Sequence, residues 1–310
     1  MGELVIMAGY GLTPDAETRE ETAVAAAQSP TALKWWFAVE MRRMRDSKDL
    51  GRDEVAQAIK GSTPGIGHIE SGRSLPKPLE LDKLLEIYGQ TERAEFFHDL
   101  RDRAKKGKDW WIGFGPHVRS YFNLFLGLES SSPQIEGWDA LVPPGLFQTP
   151  DYAEAVIRAG YSDLPTTEID QLVELRMARQ REVLEREQPA KVWRVIDEAA
   201  LRRVVGSPDV TKGQLNHLAE LAERPNVDVQ VVPLDAGAHT GTEGTFTLLV
   251  APPELENYPG CVYVETLVKG YYYEELEEIT KYRNALTRLR VQATKPEDSP
   301  AFIRQIAKDL

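Results

Sequence analysis

The 310-residue sequence predicts a multidomain chain, an all-α domain built around a helix-turn-helix followed by a mixed α/β domain. Three observations carry that prediction. Residues 31–90 read as short helices with apolar stripes, broken by turn residues. Beyond residue 109, helical segments mix with short β-branched runs. Charge divides between the same two regions: residues 31–108 hold 16 Lys and Arg against 13 Asp and Glu, and residues 109–310 hold 20 against 31. The net charge of −12 is therefore a +3 module attached to a −11 body, with residues 1–30 adding −4. That asymmetry suits one face against phosphate and an acidic body held away from it.

The elements follow in order. Residues 13–30 are polar and rich in Ala, Glu and Thr, ending in Ser29-Pro30, and residues 1–30 are expected to form a mobile or partly helical arm. Leu33, Trp36, Phe37, Met41 and Met44 fall on one stripe and predict the first helix of the module, whose basic end, Arg42, Arg43 and Arg45, suits the helix dipole. Leu50–Lys60 is the second helix, facing inward through Leu50, Val55, Ala56 and Ile59. Gly61 turns the chain; Ser62 or Thr63 caps a third helix with Pro64 at its first position, and Ile66 and Ile69 anchor it. Gly72 stops that helix in a left-handed conformation. Leu79–Tyr88, with Leu81, Leu84, Leu85 and Tyr88 inward, is the fourth helix, and Glu92–Ala104 is the fifth. The run Lys105-Lys106-Gly107-Lys108 marks a boundary, so the expected domains are 31–108 and 109–310.

The run Leu50-Gly51-Arg52-Asp53-Glu54-Val55-Ala56, the turn at Gly61-Ser62, the run Ile69-Glu70-Ser71-Gly72-Arg73 and the prolines Pro76 and Pro78 resemble the Xre-type helix-turn-helix of phage-repressor ancestry. The resemblance implies a lambda-repressor-like fold and binding to a double-stranded DNA operator. Arg42, Arg43, Arg52, Arg73 and Lys77 would then hold phosphates, and Ser62, Thr63 and His68 would face bases. The chain departs from the family in its recognition helix. Gly65 and Gly67 stand where other members carry polar readers, and each weakens a helix by about 1 kcal/mol against alanine. None of the three remaining readers makes the bidentate guanine contact of an arginine.

In the second region, Tyr121–Glu129 reads as a buried helix or strand, and Val142–Ala153 as a turn leading into a helix capped by Thr149 with Pro150 first. Helices are expected over Glu168–Arg186, Asp197–Val204, Lys212–Glu223 and Glu274–Gln292, the last closing the domain. Strands are expected over Lys191–Ile196, Val227–Pro233, Thr245–Val250 and Cys261–Thr266. The ordered pieces Val142-Pro143-Pro144-Gly145-Leu146-Phe147-Gln148-Thr149-Pro150-Asp151-Tyr152, Arg176 with Arg179-Gln180, Asp197 to Arg203, and Asn226 to Pro233 are similar to the uncharacterised C-terminal domain of many actinobacterial Xre-type regulators. This resemblance implies an antitoxin-like transcriptional regulator working with a small partner protein.

Other chemistries find little support. The sequence holds no phosphate loop and no nucleophile elbow, and its five histidines show no metal-ligand spacing, so neither cofactor nor metal is expected. No apolar run reaches the roughly 18 residues of a membrane span. With one cysteine, Cys261, in an apolar run and no signal-like start, the expected compartment is the cytoplasm. Glu198 and Arg202 stand at the spacing of a helical salt bridge. A loop at Gly237–Gly244 and the aromatic residues Trp110, Trp111, Tyr121, Tyr271, Tyr272 and Tyr273 can line a pocket, with Trp110, Tyr121, His239 and Tyr271 as ligand-binding candidates. The leading expectation is a homodimeric DNA-binding transcriptional regulator whose second domain receives a small molecule or small protein. The alternative is an enzyme on the regulator scaffold, with Glu198, His239 and Glu265 as acid/base candidates.

Overall fold

In a computed structural model, the structure describes residues 29–310 apart from Glu254, Glu256 and Asn257, so the expected arm lies, up to residue 28, outside the described residues. Ser29 and Pro30 start the first helix rather than ending an arm. Ser29 Oγ accepts from the Ala32 amide at 3.2 Å, and Pro30 occupies the first position, where a missing N–H costs nothing.

Among the described residues, the N-terminal region holds the helices α1 Pro30–Ser47, α2 Arg52–Ala58, α3 Thr63–Ile69, α4 Pro78–Tyr88 and α5 Ala94–Lys105. The stripe Leu33, Trp36, Phe37, Met41 and Met44 is buried, as are Val55, Ala56, Ile59, Ile66, Ile69, Leu81, Leu84, Leu85 and Tyr88, while Leu50 precedes α2 and is only partly buried. A short 3₁₀ turn, Thr91–Arg93, replaces the expected first residues of α5. Ser62, not Thr63, caps α3, its Oγ accepting from the Gly65 amide at 3.2 Å.

The second region is a six-stranded mixed sheet with helices on both faces. The helix α6 Phe122–Ser131 leads into β1 Gln134–Asp139; α7 Pro150–Gly160 and α8 Thr166–Leu184 lead to β2 Lys191–Asp197; α9 Glu198–Arg202 and α10 Pro208–Leu221 lead to β3 Val227–Val232. Then follow β4 Phe246–Leu249, β5 Cys261–Glu265, β6 Gly270–Tyr273, α11 Leu276–Gln292 and α12 Ser299–Asp309. The strand order is β3-β2-β1-β4-β5-β6, with β1, β2 and β3 parallel and the remaining pairs antiparallel. The strands β1 and β6 and the helix α12 were not expected, so α11 does not close the domain.

Strand alternation divides the sheet's side chains between two layers. On one face, Trp138, Val195, Val232, Phe246, Leu248 and Val262 pack beneath Ile279, Leu286 and Leu289 of α11. On the other, Ile135, Val192, Ile196, Val229 and Val231 share an apolar cluster with Leu215 and Leu218 of α10 and Ile303 and Ile306 of α12. That cluster continues through Phe125 and Leu128 of α6 into the helical module. At this junction a Cβ on Gly127 would fall 2.8 Å from Ser29 Oγ and 3.2 Å from the Ala32 nitrogen, so only glycine lets α6 approach α1 so closely. Polar contacts add to the seam: Asp109 accepts from Ser29 Oγ and Thr31 Oγ1, both at 2.6 Å, and Arg42 pairs with Glu274 at 2.6 Å.

Candidate functional site: nucleic-acid interface and second-domain cavity

The exposed side of α3 carries Thr63, Gly67 and His68, with Ser62 at its cap. Its buried side is fixed by Ile66 and Ile69 and by Glu70, the residue that follows the helix. Glu70 accepts from Arg45 Nε at 2.6 Å and Nη2 at 3.2 Å, and from Arg52 Nε at 2.7 Å. One carboxylate therefore joins the end of α3 to α1 and α2, and Arg45 also donates to the Leu50 carbonyl oxygen at 2.7 Å. The helix-turn-helix is held in shape by a buried bidentate pair, the strong form of carboxylate recognition. Arg45 was expected only as part of a basic helix end; no local spacing signals a partner 25 residues away.

The expected phosphate-holding residues divide. Arg73 and Lys77 are exposed and, among the described residues, carry no ion pair. Arg52 stays half-exposed while anchored to Glu70. Arg42 is turned into the seam by Glu274, and Arg43 pairs with Glu40 at 2.7 Å and stands 5.8 Å over the Tyr258 ring. These last two, also expected beside phosphate, are engaged at the junction with the second domain.

The second domain contains a cavity of about 420 Å³ between α6, α7, α8 and the ends of β1, β4 and β5. Two ion pairs build its charged wall. Arg194 of β2 donates to both Asp139 oxygens at 2.8 Å and to Thr247 Oγ1 at 3.1 Å. Gly137, its neighbour on β1, has to lack a side chain because a Cβ would overlap the Arg194 guanidinium. Arg179 of α8 makes a bidentate pair with the buried Glu129 of α6 and stacks on Phe122 and Phe125. One helical turn earlier, Arg176 donates to Gln148 Oε1 at 2.5 Å and, among the described residues, has no carboxylate in hydrogen-bond contact. Burial and the neighbouring Arg179 charge pull its pKa down to about 10, which still leaves it protonated at neutral pH. Arg119 donates to the Tyr121 hydroxyl at 2.5 Å and stands 4.7 Å over the Tyr161 ring.

Several sequence-expected residues lie away from this cavity. The loop Gly237–Gly244 does not reach it: His239 sits edge-on to Trp138 at 5.0 Å, 3.4 Å from Asp197, and accepts from the Gly241 amide. Tyr271 is exposed on β6, where strand alternation turns it from the cavity face, and Trp110 packs on Trp111 and Phe114. Tyr121 is next to the lining, its hydroxyl 3.4 Å from Glu265. Glu265 alone of the acid/base candidates lines the cavity. Glu198 is buried, paired with Arg202 at 2.6 Å as its spacing predicted, and accepts from the Leu234 amide. Glu198 and His239 are thus bonded outside the cavity that Glu265 lines. Cys261 is buried, and burial pushes its thiol pKa well up. Among the described residues no group of three or more His, Cys, Asp or Glu could hold a metal, and no helix is long and apolar enough to cross a membrane.

What sequence reasoning missed is that the ordered motif pieces converge. The stretch Val142–Gln148 meets Arg176, Arg179 and Gln180 at the cavity wall, with Gln180 Nε2 donating to the carbonyl oxygens of Gly145 and Gln148 at 3.0 and 2.7 Å. Residues 36–106 match a helix-turn-helix domain, and residues 122–305 match a domain of unknown function (DUF5753). No curated protein and no solved structure matches the chain.

Proposed function

The chain belongs to the DUF5753 family and carries a helix-turn-helix domain ahead of it, and from that premise we propose that it is a DNA-binding transcriptional regulator whose second domain receives the signal. The observation that carries this reading is the exposed row Ser62, Thr63 and His68 on a short helix locked in place by Glu70, flanked by the unpaired Arg73 and Lys77. In this reading α3 enters the major groove, and Arg52, Arg73 and Lys77 hold the backbone at its rim. Domain boundaries at 31–108 and 109–310 belong to the same proposal.

The finer reading is an antitoxin-like regulator of the actinobacterial type, cytoplasmic and homodimeric, with a small protein or small molecule as its signal. Its support is the motif resemblance together with two features of the second domain. The first is the cavity. The second is a sheet edge that, among the described residues, carries no further strand. The outer edge of β3 is engaged by Thr294, whose amide donates to the Val231 carbonyl oxygen at 2.8 Å and whose Oγ1 accepts from the Val231 amide. The other edge strand, β6, lies beside the exposed Leu267, Val268 and Tyr271, the kind of edge that pairs with another chain.

The test is to select duplex fragments from genomic DNA with the full-length protein and footprint the recovered site. A protected operator with two half-sites about one helical turn apart is the expected result. On that operator, Lys77→Ala is expected to weaken binding to all sequences alike, and His68→Ala to lose about 1–3 kcal/mol of discrimination at one or two base pairs. Recovery of no enriched fragment, even at low salt, contradicts the reading.

A further inference from the structure

The charged wall of the cavity is not self-neutralised. Arg194 is matched by Asp139, and Arg179 by Glu129. That leaves Arg176 and Arg119 against one further carboxylate, Glu265, which is exposed and whose hydrogen-bond partner is the Tyr121 hydroxyl. The cavity therefore carries a formal surplus of one positive charge. Arg176 is not a flexible surface cation. It projects from the middle of the 19-residue helix α8, and the next turn of that helix is tied to the opposite loop by Gln180. Gly145 of that loop leaves room for the guanidiniums: a Cβ there would come within 3.1 Å of Arg179 Nη1 and 3.7 Å of Arg176 Nε. A guanidinium has five N–H donors, and Arg176 spends one of them on Gln148. A half-buried cation with donors to spare on a rigid support is a place for an anion. The lining also includes the apolar side chains of Val142, Val156, Ile157 and Leu172, beside the polar Gln148, Tyr161, Thr245, Thr247 and Tyr263.

We propose that the cavity binds a small organic monoanion, its carboxylate seated on Arg176 with Arg119 alongside and its apolar body against Val156, Ile157 and Leu172. The assignment rests on reading the second domain as the one that receives a signal. It adds the chemical class: one negative charge to balance the surplus, a planar acid to suit the guanidinium fork, and an aliphatic or aromatic body to dry the remaining surface. The cavity size is within the range of small-molecule sites. Burial of the anion would also offset the desolvation that now lowers the Arg176 pKa.

The test uses the full-length protein and calorimetric titration with phenylacetate, 3-phenylpropionate and indole-3-acetate, each paired with its primary amide, and with inorganic phosphate alone. At least one acid is expected to bind about tenfold or more tightly than its amide, since the charge-assisted bonds are lost in the amide. Inorganic phosphate, without an apolar body, is expected to bind more weakly than that acid. Arg176→Gln is expected to abolish the preference for acid over amide. The acid–amide comparison on the unaltered protein stands even if that variant fails to fold. The proposal is overturned if no acid binds at millimolar concentration, if amides bind as well as acids, if phosphate alone binds as tightly, or if folded Arg176→Gln keeps the preference. DNA affinity measured with and without the bound acid is a separate readout. An acid that binds but leaves DNA affinity unchanged sustains the site and contradicts the regulatory reading.

Discussion

At the scale of residues, Glu70 holds the helical module together. Its side chain is 1% exposed and engages Arg45 and Arg52, so it ties the end of α3 to α1 and to the start of α2. Removing one partner of a buried pair leaves an uncompensated charge, which costs roughly 3–5 kcal/mol. Glu70→Gln is therefore expected to destabilise the protein by about 3 kcal/mol in denaturant unfolding. Asp82→Asn, which breaks the exposed contact with His98, is expected to cost less than about 1 kcal/mol. Equal effects would show that Glu70 is not the hub described here. The sequence did flag Glu70, as part of the run Ile69–Arg73, and it flagged Arg45 as a basic helix end. Their pairing was not legible, because side chains 25 residues apart meet only once α1 and α3 have packed.

At the scale of elements, periodicity found the helices of the module, whose apolar stripes are wide and whose caps are spelled out by Ser, Thr and Pro. It failed at β1 and β6. The strand β1, Gln-Ile-Glu-Gly-Trp-Asp, is central in the sheet yet holds two acids and a glycine, so it reads as polar. Its acids are satisfied by distant arginines, Asp139 by Arg194 and Glu136 by Arg290. The β6 segment, Gly-Tyr-Tyr-Tyr, reads as an aromatic wall because every residue after the glycine is a ring; alternation then sends Tyr272 to one face and Tyr271 and Tyr273 to the other. The cavity was invisible for a related reason: its arginines and the loop that faces them come from segments that only the sheet brings together. Two glycines give opposite predictions. Gly137→Ala is expected to destabilise by about 1–3 kcal/mol through overlap with Arg194, seen as a lowered unfolding midpoint. Gly67 of α3 has open space where a Cβ would stand, so Gly67→Ala is expected to stabilise by up to about 1 kcal/mol. If the helix lies close against a groove, the same variant weakens DNA binding, and a stabilised variant with unchanged DNA affinity would argue against that close approach.

At the scale of the whole molecule, charge is divided between the helical region and the sheet region. A module with a +3 surplus presents α3, and an acidic body of −11 carries the cavity. A continuous apolar cluster joins them through α6, whose Glu129 holds the cavity arginine Arg179 and whose Gly127 rests on the start of α1. A ligand that disturbs the Arg179 pair would therefore act on the helix that packs against the DNA-reading module, the kind of packed connection through which two sites can be coupled. The measurement that tests the central claim most directly is the affinity of the full-length protein for its selected operator and for a scrambled duplex, followed across a range of salt. The account predicts tighter binding to the operator, loss of that preference in the combined Ser62→Ala, Thr63→Ala and His68→Ala variant, and a fall of roughly a thousandfold between 50 and 200 mM salt if about six phosphates are neutralised. Affinity that is equal for both duplexes, unchanged in the triple variant or indifferent to salt would contradict it.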